Sequence, residues 1–126
     1  MNFENSFKNV SSLYLDYSSL ISFQDLSFSY FSIQFLFLGN QKIEKLVENS
    51  LKGSYTKLDL SFNLLSSSSF EMQTFGFLPN LNEISFSNNL ITDLDFDDAF
   101  QFPMAEINLL NFQHNQISSI KEKCPS

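Results

Sequence analysis

The stretch YTKLDLSFNLL at residues 55–65 recurs twice along the chain, as LNEISFSNNLI at 81–91 and as INLLNFQHNQI at 107–117. The ninth position of each copy is asparagine, so that Asn63, Asn89 and Asn115 follow one another at intervals of 26 residues. A fixed period of about 20–50 residues is the sequence signature of a repeat architecture. This repeat therefore decides the fold class.

Two looser copies precede these three, VSSLYLDYSSL at 10–20 and IQFLFLGNQKI at 33–43, in which Ser18 and Gln41 replace the asparagine. The fourth positions of the five copies are separated by 23, 22, 26 and 26 residues: Leu13, Leu36, Leu58, Ile84 and Leu110. We therefore predict a single domain over residues 1–126, with repeats at approximately 10–32, 33–54, 55–80, 81–106 and 107–126.

Each copy contains a short alternation of apolar and polar residues, which is typical of a β-strand. Because successive residues of a strand point to opposite faces, Leu58 and Leu60 are predicted to point inward while Asp59 points to solvent. Stacked copies then form a parallel sheet over a continuous apolar interior. The predicted core residues are Leu58, Leu60, Ile84, Phe86, Leu110 and Phe112.

The recurring asparagines are predicted to form a structural ladder. An asparagine amide both donates and accepts hydrogen bonds, so Asn63, Asn89 and Asn115 can satisfy the buried backbone groups of turns in neighbouring copies. The adjacent Asn88 is expected to face solvent and to contribute little to stability.

The five copies resemble the leucine-rich repeat, whose pattern is L-x-x-L-x-L-x-x-N/C-x-L. The resemblance spans residues 10–120 and is to intracellular members, with no subfamily identified. It implies an α/β fold, a right-handed leucine-rich-repeat solenoid forming a horseshoe segment. About five parallel strands would lie on its concave face, with short helices and loops on its convex face.

The segments that return between strands differ in character. Ile43, Leu46, Val47 and Leu51 have helical spacing and are followed by Gly53, which predicts a short helix over 43–53. The segment after Leu65 begins with four serines and is predicted to be a loop with a helical turn. Its apolar residues would fill the wider 26-residue copies: Phe70, Met72, Phe75, Phe77 and Leu78.

Composition and charge narrow the classes of partner. The chain has 126 residues, 43% of them hydrophobic and sixteen of them Phe, which is sufficient for a folded core. Fourteen acidic residues exceed seven basic ones, all of them Lys, for a net charge of −7. Because an acidic chain without arginine lacks the usual means of gripping phosphates, we expect no nucleic-acid binding by this chain alone. Residues 58–120 carry eight acidic and no basic side chains, which favours a basic partner surface or else serves only solubility.

The single cysteine, Cys124, cannot form an internal disulfide. The N-terminal residues lack the apolar segment of a signal peptide, and no apolar run approaches the ~18 residues of a membrane span. These features predict an intracellular protein, cytoplasmic or nuclear, that does not associate with membranes.

Catalysis requires converging acids, bases, nucleophiles or metal ligands, and few are present. The only histidine, His114, is expected to be an ordinary surface residue, and one histidine with one cysteine does not make a zinc site. The acidic run Asp93–Asp98 lacks the glycine and glutamate of a calcium loop, so Asp97 or Asp98 is interpreted as a helix cap. We therefore predict no enzyme activity, no catalytic residues, no metal and no cofactor. A hydrolase that uses a serine near His114 is an unfavoured alternative.

Aromatic residues occupy outward positions of the strands, where a solvated face normally carries polar residues. One explanation is that the first two copies are out of register or that their aromatic residues are covered by another segment. The alternative is that these aromatic residues form a contact surface. The predicted partner-binding residues on the concave face are the aromatics Tyr14, Tyr17, Phe35, Phe37 and Phe62, together with the acidic Asp59 and Glu83.

Leucine-rich repeat proteins are chiefly protein-binding scaffolds, so the resemblance implies a non-catalytic protein–protein interaction module. It would act as a regulatory or assembly scaffold for a protein partner. The alternative is a structural fragment or assembly subunit whose solenoid ends are capped by another chain, with self-association through those ends.

Overall fold

The computed structural model describes residues 12–14, 22–23, 34–46, 51, 53–70, 74–76, 78–95, 102 and 106–121. Within these ranges the regular secondary structure is β-strand, and no helix occurs. The strands are β1 (Ser12–Tyr14), β2 (Ser22–Phe23), β3 (Phe35–Phe37), β4 (Lys45–Leu46), β5 (Lys57–Asp59), β6 (Glu83–Ser85), β7 (Asp93–Asp95), β8 (Leu109–Asn111) and β9 (Ser119–Lys121).

Five of these strands form one parallel sheet in the order β1-β3-β5-β6-β8. Each comes from one copy of the repeat. The register pairs the fourth positions of successive copies, Leu13 with Leu36, Leu36 with Leu58, Leu58 with Ile84 and Ile84 with Leu110. The parallel sheet and its register are therefore as the repeat spacing predicts.

Two smaller parallel pairs lie in the return segments. Strand β2 pairs with β4, whose Leu46 also forms a bridge to Phe70, and β7 pairs with β9. The helix predicted from Ile43 is therefore wrong at Lys45–Leu46, which are extended; residues 47–50 and 52 lie outside the described residues. Ile43 and Leu46 are fully buried. In so short a segment, apolar spacing cannot distinguish a helix from a buried strand.

The core lies behind the five-stranded sheet. It contains the central residue of each of the strands β1, β3, β5 and β6. Leu58, Leu60, Ile84 and Phe86 are buried as predicted, whereas Leu110 and Phe112 are only half-buried. Strand β8 is the edge of the sheet in the described part of the chain, and no described strand covers its far side. The sequence pattern marks which face is apolar, but burial also requires a neighbour.

Phenylalanine rings fill the interior of the 26-residue copies. Phe86 meets Phe70 and Phe75 edge-on, with ring centroids 5.7 Å apart in both pairs, and stacks on Phe112 at 5.1 Å. Phe75 also stacks on Phe102 at 4.7 Å. Edge-to-face and offset-stacked rings are the favoured aromatic geometries. The predicted filling role holds for Phe70, Phe75 and Leu78, which are buried, while Met72 and Phe77 lie outside the described residues.

The amide of Asn89 joins the third and fourth copies at their turns. Its oxygen accepts a hydrogen bond from the Leu65 N–H at 3.0 Å. Its nitrogen donates to the carbonyls of Leu60 at 3.0 Å and Phe86 at 2.9 Å. The Leu60 and Phe86 carbonyls also accept hydrogen bonds from the amides of Asn63 and Asn115. The buried Leu65 N–H is therefore the group that relies on Asn89 for its partner.

Asn63 and Asn115 make equivalent bridges in the neighbouring copies. Asn63 accepts from the N–H of Ile43 at 3.1 Å and donates to the Leu38 carbonyl at 3.0 Å. Asn115 accepts from the Ile91 N–H and donates to the Phe86 carbonyl, both at 2.9 Å. The three amides therefore link four successive copies.

A second column, one position before the ladder, has left-handed backbone. The φ angles of Asn40, Phe62, Asn88 and His114 are 55°, 57°, 58° and 58°. Their N–H groups also connect copies, as the bonds from Phe62 to Ser87 O at 3.0 Å and from Asn88 to Gln113 O at 2.9 Å show. The left-handed region is unfavourable for most residues, so the effect of replacing Asn88 should depend on how well the new residue adopts this conformation, which the repeat pattern does not indicate.

Replacing Asn89 with Ala is expected to lower the free energy of unfolding by about 1–3 kcal/mol, because the buried Leu65 N–H loses its hydrogen-bond acceptor. Urea denaturation measures the change. The matched control is Asn88→Gly, which should be nearly neutral because glycine adopts the left-handed conformation without steric cost. Equal losses in the two variants would contradict the ladder assignment.

Tyr55 provides a pH-dependent contribution to stability. Its buried hydroxyl donates a hydrogen bond to the Leu51 carbonyl, and desolvation by burial raises its pKa well above the ordinary value. The unfolded chain releases this proton near pH ~10, whereas the native state retains it. The stabilising effect is therefore fully present below about pH 10 and decreases as the pH rises from there through the folded-state pKa.

Tyr55→Phe should cost about 0.5–1.5 kcal/mol at neutral pH through the lost hydrogen bond. Above about pH 10 the stability of the wild type should fall more steeply than that of the variant, which has no phenol to ionise. Urea unfolding curves at a series of pH values measure both. Parallel pH profiles would show that the ionisation of Tyr55 is not linked to unfolding.

Candidate functional site

The outward residues of the five-stranded sheet form two columns, because the strands are parallel and in register. We name these ten residues the strand face: Ser12, Phe35, Lys57, Glu83 and Leu109 in one column, and Tyr14, Phe37, Asp59, Ser85 and Asn111 in the other. The central residue between the columns points into the core in every strand, so the two columns are the part of the sheet available to a ligand.

Tyr14 and Phe37 stack on one another at the β1 side of the strand face. Their ring centroids lie 4.2 Å apart and the planes differ by 3°. The stack forms because the two residues are directly paired in adjacent strands. Tyr14 nevertheless remains 63% exposed, while Phe35 and Phe37 are half-buried. The stacked pair is therefore partly open to solvent, mainly through Tyr14.

Lys57 and Glu83 form the charged centre of the strand face. They are paired in β5 and β6, and the Lys57 Nζ lies 3.8 Å from a Glu83 carboxylate oxygen. The same Nζ lies 6.0 Å from the centroid of the Phe37 ring. Both side chains are more than 40% exposed, so this ion pair is weak.

The carboxylate of Asp59 is engaged in the turn that follows its own strand. It accepts hydrogen bonds from the N–H of Ser61 at 2.9 Å and from the Ser61 hydroxyl at 2.5 Å. The side chains of Ser85 and Asn111 accept from the N–H two residues later in the same way. Asp59 therefore has a local structural role besides the partner-binding role that the sequence predicts for it.

Phe62 lies just beyond the strand face, in the left-handed column. It is 54% exposed and has a φ of 57°. The equivalent positions carry Asn40, Asn88 and His114, residue types that enter the left-handed region far more readily than a bulky aromatic does. The structure therefore exposes a large apolar ring on unfavourable backbone. Of the other aromatic candidates, Tyr17 lies outside the described residues.

Among the strand-face residues that the sequence analysis did not assign to binding, two add apolar or charged character to the surface. Leu109 is 54% exposed in the column of Lys57 and Glu83, and Lys57 itself connects the aromatic and acidic residues. The signal for Leu109 was its outward position directly before the core residue Leu110. The sequence alone does not distinguish the two successive leucines, because either one could be the residue that points into the core.

In the described residues, the side chains that could take part in catalysis or metal binding do not come together. His114 is exposed on a turn, and Asp93 and Asp95 form strand β7, where they contact Ser119 and Lys121. No three histidine, cysteine or acidic side chains in the described part of the chain are arranged to hold a metal ion. The cap candidates Asp97 and Asp98 and the thiol of Cys124 lie outside the described residues.

Comparisons with protein-family models, with curated proteins and with solved structures found no match to this chain. A search of the described residues for an apolar helix of membrane-spanning length also found none. The strand face itself carries a stacked aromatic pair, an exposed ion pair and an exposed leucine across one open sheet.

Replacing Phe62 with Asn should raise the free energy of unfolding by about 1 kcal/mol, because asparagine relieves part of the left-handed backbone cost. Thermal or urea denaturation measures the change. His114→Asn is the control and should have a smaller effect, since histidine already tolerates this conformation. A loss of stability in Phe62→Asn comparable to a core truncation would show that the ring stabilises the fold by packing.

Proposed function

We propose that this chain is a leucine-rich-repeat solenoid and that the strand face is its concave surface. Three features support the proposal: one strand per copy in register, an asparagine amide bridging each pair of later copies, and a left-handed residue before each bridge. All three repeat with the spacing of the sequence copies. A stack of equivalent turns is the simplest structure that satisfies them together.

We propose that the protein is a non-catalytic interaction module that binds a protein partner on the strand face, as a regulatory or assembly scaffold. The observation that carries this function is the exposed stack of Tyr14 on Phe37. Exposed aromatics on a rigid sheet are the residues that most often dominate interface energy. With one cysteine in the chain, we place this activity in the cytoplasm or the nucleus.

A second candidate function is assembly through the β8 end of the sheet, and one specific observation favours it. Leu110 and Phe112, which point toward the core, are only half-buried there, and Ile120 of the same copy is exposed. Apolar side chains left open at the end of a repeat stack are normally covered by a further repeat, a cap or another chain. Light scattering of the purified protein separates the two functions: a mass that rises with concentration supports assembly, and a constant monomeric mass opposes it.

Partner binding should depend on the aromatic stack. Affinity capture from the native cell extract, with identification of the retained proteins, supplies a partner for direct binding measurements. We expect the double variant Tyr14→Ala/Phe37→Ala to weaken binding by about 2 kcal/mol or more, roughly thirtyfold. The matched control is Leu64→Ala/Leu90→Ala, which removes two exposed apolar side chains outside the strand face and should leave binding nearly unchanged.

Circular dichroism has to show that both double variants are folded. Unchanged binding by the folded Tyr14→Ala/Phe37→Ala variant would mean that the stack is structural. Equal weakening in both double variants would mean that the contact surface extends well beyond the strand face.

A further inference from the structure

We propose that the strand face contains a binding site for the guanidinium group of an arginine side chain, formed by Phe37 and Glu83, and that Lys57 occupies this site in the free protein. The inference rests on the proposed protein-binding function, because it names the chemistry that a partner contributes to that surface. The partner is accordingly a protein segment that presents arginine.

The first element of the site is one face of the Phe37 ring. Tyr14, on β1, stacks against Phe37 with the two planes nearly parallel. Since β3 lies between β1 and β5, the opposite face of the ring is directed toward β5, and Lys57 of that strand brings its ammonium over the ring. An aromatic face next to a cation is the arrangement that recognises positively charged groups.

The second element is the carboxylate of Glu83, on the next strand. It contacts the same Lys57 ammonium that lies over Phe37, so one cation bridges ring and carboxylate. Asp59, the other acidic residue of the strand face, already accepts two hydrogen bonds from Ser61. Glu83 is therefore the acidic side chain that an incoming cation would engage.

The contacts of Lys57 are weak enough to be exchanged. The distance of 3.8 Å to Glu83 and that of 6.0 Å to the Phe37 centroid lie near the outer limits of their interaction types. A guanidinium is better suited to the same place, because it is planar, stacks flat on an aromatic ring and donates two parallel hydrogen bonds to a carboxylate. It is also more weakly hydrated than an ammonium.

The surroundings are complementary to a peptide segment that carries such a group. The groove beside the aromatic stack is lined by Tyr14, Phe37, Lys57 and Glu83 together with the polar Thr56 and Asn82. Residues 58–120 contribute eight acidic side chains and no basic ones, which attracts a cationic segment from a distance. Lys57 is then an internal competitor that a partner's arginine displaces.

Titrations of the ¹⁵N-labelled full chain test the site with two probes, acetyl-Gly-Arg-Gly-amide and acetyl-Gly-Lys-Gly-amide, followed by backbone amide NMR shifts. We expect saturable shifts at Phe37 and Glu83 and tighter binding of the arginine peptide. Phe37→Leu should weaken that binding about twofold to fivefold, the factor that corresponds to an exposed cation–π contact. Glu83→Gln should weaken it and reduce the preference for arginine over lysine.

The decisive comparison is between Lys57→Met and Lys42→Met. Both remove one positive charge, and Lys42 is an exposed residue outside the strand face. If Lys57 competes for the site, only Lys57→Met should tighten arginine-peptide binding, by about twofold to fivefold. Equal changes in the two variants, or equal affinity for the two peptides, would overturn the proposal.

Failure of the guanidinium-site proposal can be distinguished from failure of the proposed protein-binding function. If the arginine peptide gives no saturable shifts while a captured partner still depends on Tyr14 and Phe37, the interaction function stands and the guanidinium site is overturned. If the peptide behaves as expected but no captured protein depends on these rings, the guanidinium site stands and the interaction function loses its support.

Discussion

Buried backbone groups at the ends of the strands have to find hydrogen-bond partners, and the asparagine amides supply them. Each main-sheet strand has three residues, so the sheet alone does little to fix the register. The amides of Asn63, Asn89 and Asn115 tie each turn to the one before it and hold successive copies at a constant offset. A slip of one residue would exchange the two faces of a strand. The ladder therefore decides both which residues enter the core and which remain on the strand face.

The ladder also explains why unfavourable backbone is tolerated beside it. A turn held by amide bonds from two copies is over-determined, and such surroundings are where strained residues persist. Asn40, Asn88 and His114 suit the left-handed position, but Phe62 does not. Because its ring is largely exposed, core packing does not compensate for the unfavourable backbone. Phe62 lies beyond the carboxyl end of β5, the strand next to Phe37, and its predicted role in partner binding would account for an aromatic residue at this position.

The register and the buried column were predictable from sequence because they depend on local spacing, and the repeat displays that spacing several times. Features that depend on neighbours in space were not predictable from the sequence. Leu110 and Phe112 have the right pattern for the core but lie at the sheet edge, and Ile43 and Leu46 have helical spacing in a segment whose Lys45–Leu46 forms a strand. For the candidate site, alignment of outward positions brings Tyr14 and Phe37 together. It does not show that their rings stack, that Lys57 reaches across to Phe37, or that Leu109 remains exposed.

The two sides of each strand are under different physical constraints. The inward central position is always leucine or isoleucine, whereas the paired outward position changes from Tyr14 through Phe37, Asp59 and Ser85 to Asn111. The core does not fix these outward side chains, although Asp59, Ser85 and Asn111 each accept a hydrogen bond from the N–H two residues later. The strand order places three kinds of side chain in succession across the strand face: the aromatic rings first, the Lys57–Glu83 pair next and Leu109 last. A peptide segment lying across the strands would contact aromatic, charged and aliphatic side chains in that order. The order of apolar and charged residues in such a segment would have to match.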